Sequence, residues 1–158
     1  MIKLLTLLSL FLPLFGEERV YQLPDHHTLL TYELNRLCKK SSHIHIITSS
    51  FNHSVLKKGI LNGAHKGSLV TLVVNDPNGD PLSMVQYERV NLYTYSHPFT
   101  QSIVMIDDSL VCTLDGAFEE EILTSQKHLI RCSDNQQTIR ALKQSQLAIF
   151  KQAKPYLE

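Results

Sequence analysis

Eight histidines in 158 residues invite a search for metal or nucleophile chemistry, since imidazole is the commonest metal ligand and proton carrier near neutral pH. The local pairs are His26-His27 and His43-x-His45. On a strand the second spacing puts both rings on one face, a geometry able to hold a transition metal. No nearby carboxylate or cysteine supplies a third ligand, so the expectation is half-buried or surface histidines with no metal and no cofactor. His53, beside Asn52, reads as a helix-capping residue rather than a catalyst. His97 precedes Thr100 by three residues, and His65 with Lys66 falls at a helix end.

The main acidic cluster comprises Asp107, Asp108 and Asp115 with Glu119, Glu120 and Glu121. Paired carboxylates perform acid and base work when burial splits their pKa values, but Asp107-Asp108 is also what a solvated hairpin tip looks like. There is no GxSxG elbow for a serine hydrolase, and neither GxxxxGK[ST] nor GxGxxG for a nucleotide cradle.

The elements that must position these groups belong to one domain, given 43% hydrophobic and 19% charged residues. The first sixteen residues differ from the rest. MIK gives a positive start, LLTLLSLFLPLF a twelve-residue apolar run and Gly16 a small residue before Glu17-Glu18. This is the pattern of a signal peptide over 1–16, exporting residues 17–158 to the periplasm or medium. A retained anchor is the weaker alternative, because a span needs roughly 20 apolar residues. Loss of Lys3 would leave 14 basic against 15 acidic residues, a formal charge of −1, which offers no footprint for a phosphate backbone. Cys38, Cys112 and Cys132 allow at most one intrachain disulfide. The pairing is open, and Cys112 in LVCTL reads as a buried free thiol.

Apolar spacing predicts a helix over His26–Lys40, capped by Asp25, and a strand over His43–Ser49. A second helix follows in NHSVLKKGILNGAHKG, with Gly67 at its stop, and then the strand SLVTLVVND. SMVQYERVNLYTY is read as a short helix and a strand near Val90–Tyr95. SIVMI and LVCTL form a hairpin around DDS, and KHLIRC is a final strand. The last helix, NQQTIRALKQSQLAIFKQA, carries Ile139, Leu142 and Leu147 on one side. The fold class is therefore α/β, a mixed β-sheet flanked by helices.

The order of these elements, together with SIVMIDDSLVCTL and the upstream IITSSFNHSVLKKGILNGAHKGSLVTLVVND, resembles the phospholipase D superfamily. The layout is similar to its small, exported, single-motif bacterial endonucleases and phosphodiesterases, over roughly Val20 to Phe150. The resemblance implies a homodimer that completes its site across a two-fold axis. It also implies a strand carrying His-x-Lys, then four residues and Asp, with Gly-Ser and Asn after the next strand. In that chemistry one histidine attacks phosphorus, its counterpart protonates the leaving oxygen, and the lysines, serine and asparagine hold the phosphoryl oxygens. The Asp is taken to orient the histidine.

With Asp107 as the motif Asp, the nucleophile position holds Thr100 and the lysine position Ser102. The Gly-Ser slot falls on Leu114 and Asp115, and the Asn slot near Ala117. Thr100 cannot form a phosphohistidine, Ser102 cannot neutralise phosphate, and Asp115 sets an anion where an anionic substrate would sit. Moving His97 into the slot needs a three-residue slip, which turns a side chain to the other face of a strand, and Pro98 opposes a regular ladder. The expectation is a catalytically degenerate module that binds or supports structure. The alternatives are a phosphodiesterase using His97, Asp107 and Asp115, and a nucleic-acid binder using a patch around Lys57, Lys58, His65 and Lys66.

Overall fold

The computed structural model describes residues 16–157; the proposed signal segment therefore lies almost entirely outside the described residues. In chain order the elements are β1 (Glu18–Leu23), α1 (His27–Cys38), β2 (His43–Thr48), β3 (Phe51–Asn52) and α2 (Ser54–His65). Next come β4 (Leu69–Val74), α3 (Asp80–Met84), β5 (Val90–Thr94), β6 (Gln101–Ile106) and β7 (Leu110–Asp115). The chain ends through β8 (Phe118–Glu119), α4 (Glu120–Ser125), β9 (His128–Ser133), α5 (Gln136–Gln152) and β10 (Lys154–Pro155). Eight strands form one mixed sheet in the order β1-β9-β7-β6-β2-β4-β5-β10, and β3 pairs with β8 apart from it.

Strand alternation divides the side chains between two covered faces. On β2, Ile44 and Ile46 join the larger core with Val104 and Ile106 of β6 and Leu30 and Leu34 of α1. Ile47 points the other way and packs with Ile103, Met105 and Ile139 under α5. The β2-α2-β4 unit is parallel as its apolar runs predict, with Ile44 opposite Val70 and Thr48 opposite Val74. α1 and α2 approach closely because α2 turns Gly59 and Gly63 toward α1. A Cβ on Gly63 would stand 2.6 Å from the Cys38 carbonyl oxygen, inside any tolerable contact.

Three sequence expectations change, and an unassigned segment before α1 gains a strand. Asp25 does not cap α1: the N-cap is His26, without a side-chain cap bond, and the entry turn closes through the His26 N–H donating to the Gln22 carbonyl at 2.8 Å. Leu147 does not share the buried side of α5, being 57% exposed; Ile149 and Phe150 pack there instead. ERVYQL, to which the spacing assigns no element, forms β1 because its antiparallel partner β9 supplies the ladder. Cys112 is not a free thiol. It lies opposite Cys132 on the adjacent antiparallel strand and forms a disulfide with it, whereas Cys38 is free and buried. No helix among the described residues is long and apolar enough to cross a membrane.

Candidate functional site

The carboxyl ends of the parallel strands β2, β4 and β5 meet the start of β6 and the end of β7 along one edge of the sheet, the place where open α/β sheets put ligands. Register fixes this edge, because Ile47 pairs with Ile103 and Gln101 with Asp115. Thr100 precedes β6 there, exposed, and its carbonyl accepts from the Gly116 N–H at 3.1 Å. Thr100, Asp115 and Gly116 are thus brought together at one strand end.

Ser102 is elsewhere in depth. It is 1% exposed, and its hydroxyl lies 2.7 Å from the Thr48 hydroxyl and 2.5 Å from the Gly116 carbonyl oxygen. Thr48 also reaches the Ser50 carbonyl at 2.8 Å and accepts from the Phe118 N–H at 3.0 Å. Two hydroxyl protons therefore serve three contacts, and the relay closes upon backbone. Nothing in it is left to neutralise a bound anion.

Asp107 sits at the opposite end of β6, seven residues from Thr100, or roughly 20 Å of extended chain. Its carboxylate accepts from the N–H groups of Ser42 and His43 at 2.9 and 2.8 Å, and its φ is +50°. This arrangement pins the start of β2 and does not orient any group at the Thr100 end. The set His97, Asp107 and Asp115 is consequently not assembled. His97 lies on an exposed loop held by Asn75, whose amide donates to the carbonyls of Tyr95 and His97 at 2.9 and 2.7 Å.

A second polar cluster forms around the start of α2, and sequence reasoning missed its connections. The His53 Nδ1 accepts from the Leu56 N–H at 3.2 Å, so a neutral ring carries its proton on Nε2. That Nε2 lies 2.9 Å from His27 Nε2, which must then accept. Burial pushes His53 down to about 4, keeping it neutral. The Asp80 carboxylate accepts from the His53 N–H at 2.8 Å and from Lys57 Nζ at 3.1 Å. The Glu120 carboxylate accepts from the Ser54 N–H and hydroxyl at 3.1 and 2.8 Å. These bonds hold it below the usual carboxylate range.

This cluster ties the ends of α1, α2, α3 and α4 together. Both imidazole Nε2 atoms are spent on each other, so neither is free as an external base. No local signal marks the cluster: His27 and His53 are 26 residues apart, and Ser54 and Glu120 are 66 apart. His53 does cap α2, as its place beside Asn52 suggests.

His43 and His45 do share one face of β2, with ring centroids 6.4 Å apart. Among the described residues no group of three or more histidines, cysteines or carboxylates could hold a metal. Of the basic patch, Lys57, Lys58 and His65 but not Lys66 line a cleft of about 660 Å³, which Arg89 borders together with Asp80 and Glu88, and Lys57 is paired with Asp80 there.

No family model matches the sequence, and no curated protein matches it either. Solved structures do match the fold. NucT from Helicobacter pylori superposes with a TM-score of 0.80 at 14% identity, covering 89% of this chain and 99% of that one. Nuc from Salmonella typhimurium, a phospholipase D family member, gives 0.74 at 15% identity, covering 90% and 99%. Phosphatidylserine synthase from Haemophilus influenzae gives 0.69 at 14% identity, over 91% of this chain and 41% of that one. The chain has the fold of Nuc, a phospholipase D family member, as a mixed sheet flanked by helices.

Proposed function

We propose that this chain is an exported phospholipase D-fold module that no longer cleaves phosphodiesters and acts as a binding or structural protein. The observation that carries the reading is the closed hydroxyl relay at Ser102. Where the family's lysine would meet a phosphoryl oxygen, Ser102 and Thr48 spend their hydrogen bonds on each other and on backbone. Thr100, two residues before Ser102 and just outside β6, offers a hydroxyl with a pKa far above neutrality in place of an imidazole. Asp115 adds a carboxylate at the same edge, which repels rather than attracts a phosphodiester.

Export is supported by the leader-like pattern of residues 1–16 and by the Cys112–Cys132 disulfide, a bond that persists in oxidising compartments. The module is proposed to pair with a second copy along the Thr100 edge. Light scattering that gave only monomer at high micromolar concentration would count against that pairing.

The test is an assay of the purified exported protein on single-stranded DNA and on bis-p-nitrophenyl phosphate, with and without chelator. No turnover is expected. Turnover that His97→Ala abolished would overturn the reading and favour a rearranged phosphodiesterase. The cleft where Lys58, His65 and Arg89 stand beside Asp80 and Glu88, with Lys57 paired to Asp80, supports a second reading, a nucleic-acid binder that does not cut. A shift of labelled DNA that weakens steeply with salt would favour it, since phosphate contacts release counterions.

A further inference from the structure

The short link from β1 into α1 touches the start of α2, and three imidazoles tie it down. His26 Nδ1 accepts from the Gln22 N–H at 3.0 Å. His27, the first residue of α1, meets His53 with the two Nε2 atoms 2.9 Å apart. The ring centroids are 5.1 Å apart and the planes 24° from parallel, so the rings meet nitrogen to nitrogen. His53 Nδ1 in turn accepts from the Leu56 N–H at 3.2 Å.

A neutral imidazole has one accepting nitrogen, and in all three rings an N–H donor already occupies it. His26 spends Nδ1 on Gln22, His53 spends Nδ1 on Leu56, and His27 spends Nε2 on the His53 Nε2–H. A further proton must land on one of these nitrogens, where it sets N–H against N–H and removes a hydrogen bond. Burial, the largest influence on His53, holds that ring neutral. Glu120 of α4 opposes it, the facing His27 reinforces it, and Asp80 of α3, itself paired with Lys57 of α2, opposes it.

The two sides of the His27–His53 pair are unequally anchored. His53 is 1% exposed, its N–H donates to Asp80 at 2.8 Å, and its ring lies 6.3 Å from that of Phe118. His27 is half-buried, and Asp25, His26, Thr28 and Leu29 around it are exposed. A segment that buries so little opens at far lower cost than the whole fold. The ring that leaves is therefore His27.

We propose that residues 24–29 form an acid-released strap: a proton taken from solvent onto His27 Nε2 breaks the bond to His53, the imidazolium swings into water, and the first turn of α1 lifts from α2 while the sheet stays folded. A proton on His26 Nδ1 frees the strap from Gln22 in the same sense. Opening uncovers the His53 Nε2–H and the start of α2. The device is independent of whether the Thr100 edge cuts anything.

The test is NMR of the purified protein. At pH 7.5 the imidazole nitrogens should show opposite tautomers, with His53 protonated on Nε2 and His27 on Nδ1. The Leu30 N–H, which donates to the His26 carbonyl at 2.9 Å, reports on the strap. From pH 7.5 to 5 its protection against hydrogen exchange, corrected for the intrinsic pH dependence, should fall at least tenfold. That exchange should be insensitive to dilute urea, the mark of local opening, whereas exchange at Ile46 and Leu72 in the central strands should stay slower and rise with urea. The double variant His26→Asn, His27→Gln sets amide oxygens where the two accepting nitrogens stand and cannot titrate. It should keep the circular dichroism of the parent and reduce the fall to less than about threefold. The proposal is overturned if the tautomers are not opposite, if Leu30 protection holds down to pH 5, if its exchange rises with urea as that of Ile46 does, or if the double variant loses as much protection as the parent.

Discussion

The hydroxyl of Ser102 lies 2.7 Å from that of Thr48, inside the sheet. Because Thr48 also accepts from the Phe118 N–H, the pair couples β2 and β6 to the start of β8. Ser102→Ala should destabilise the protein by about 1–2 kcal/mol, the cost of a lost buried hydrogen bond with its partner left behind. Ser102→Lys should cost more than about 3 kcal/mol, since the ammonium enters a closed site without a counter-charge. Thr100→His, at an exposed position, should stay within about 0.5 kcal/mol. Urea midpoints check all three. A tolerated lysine would mean that the site is still open.

Asp107 supports the fold from the other end of β6. Its carboxylate holds two backbone N–H groups of the β2 start, so Asp107→Ala should lower stability by roughly 1–2 kcal/mol. Asp107→Asn should lose less, because asparagine tolerates a φ of +50° and keeps one accepting oxygen. Neither change should alter any ligand binding at the Thr100 edge. A selective loss of binding with stability intact would restore a role for Asp107 in the site.

What the sequence reveals of this molecule is set by how local each determinant is. The β2-α2-β4 unit and the β6–β7 hairpin are legible because Ile44, Ile46, Val70 and Val104 announce their burial within short apolar runs. β1 is hidden because ERVYQL becomes a strand only through a partner more than a hundred residues away, Glu18 opposite Ser133. The disulfide is hidden for the same reason, since Cys112 and Cys132 meet through the register of two strands separated by β8 and α4. At the edge, the alignment on Asp107 finds Thr100 and Ser102. Their difference in depth comes from Thr48 and Gly116, which no spacing rule connects to them. The His27–His53 pair likewise exists only once helices have packed.

Thiol chemistry separates the three cysteines. Without reductant, the native protein should show no thiol reactive to a disulfide reagent, because Cys38 is buried and its thiol is pushed up to about 12. Unfolding should expose one thiol, and reduction before unfolding should expose three. Breaking the Cys112–Cys132 bond, which closes a loop with a sequence separation of 20, should lower stability by about 3 kcal/mol. One thiol in the native protein would contradict the burial of Cys38. Three in the unfolded, unreduced protein would contradict the disulfide.

Acid should weaken the fold earlier than its carboxylates alone would dictate. His53 is held down to about 4 when folded, against an ordinary value of 6.5, so as pH falls the unfolded chain takes up this proton first. The stability it contributes is fully present above about pH 6.5, is lost progressively down to about pH 4, and amounts to at most roughly 3 kcal/mol. Burial lowers His45 as well, adding a loss of the same sign. Glu120 and Asp108 are held below the ordinary carboxylate range by Ser54 and Lys143, and their contributions are lost only at more acidic pH. Between pH 6.5 and 5 the slope of stability therefore belongs to the imidazoles. His53→Gln, which cannot titrate, should lower stability at pH 7.5 and flatten that slope. The check is a series of urea denaturations across this window. A variant whose slope matches the parent would mean that the His53 ring is not kept neutral in the folded protein.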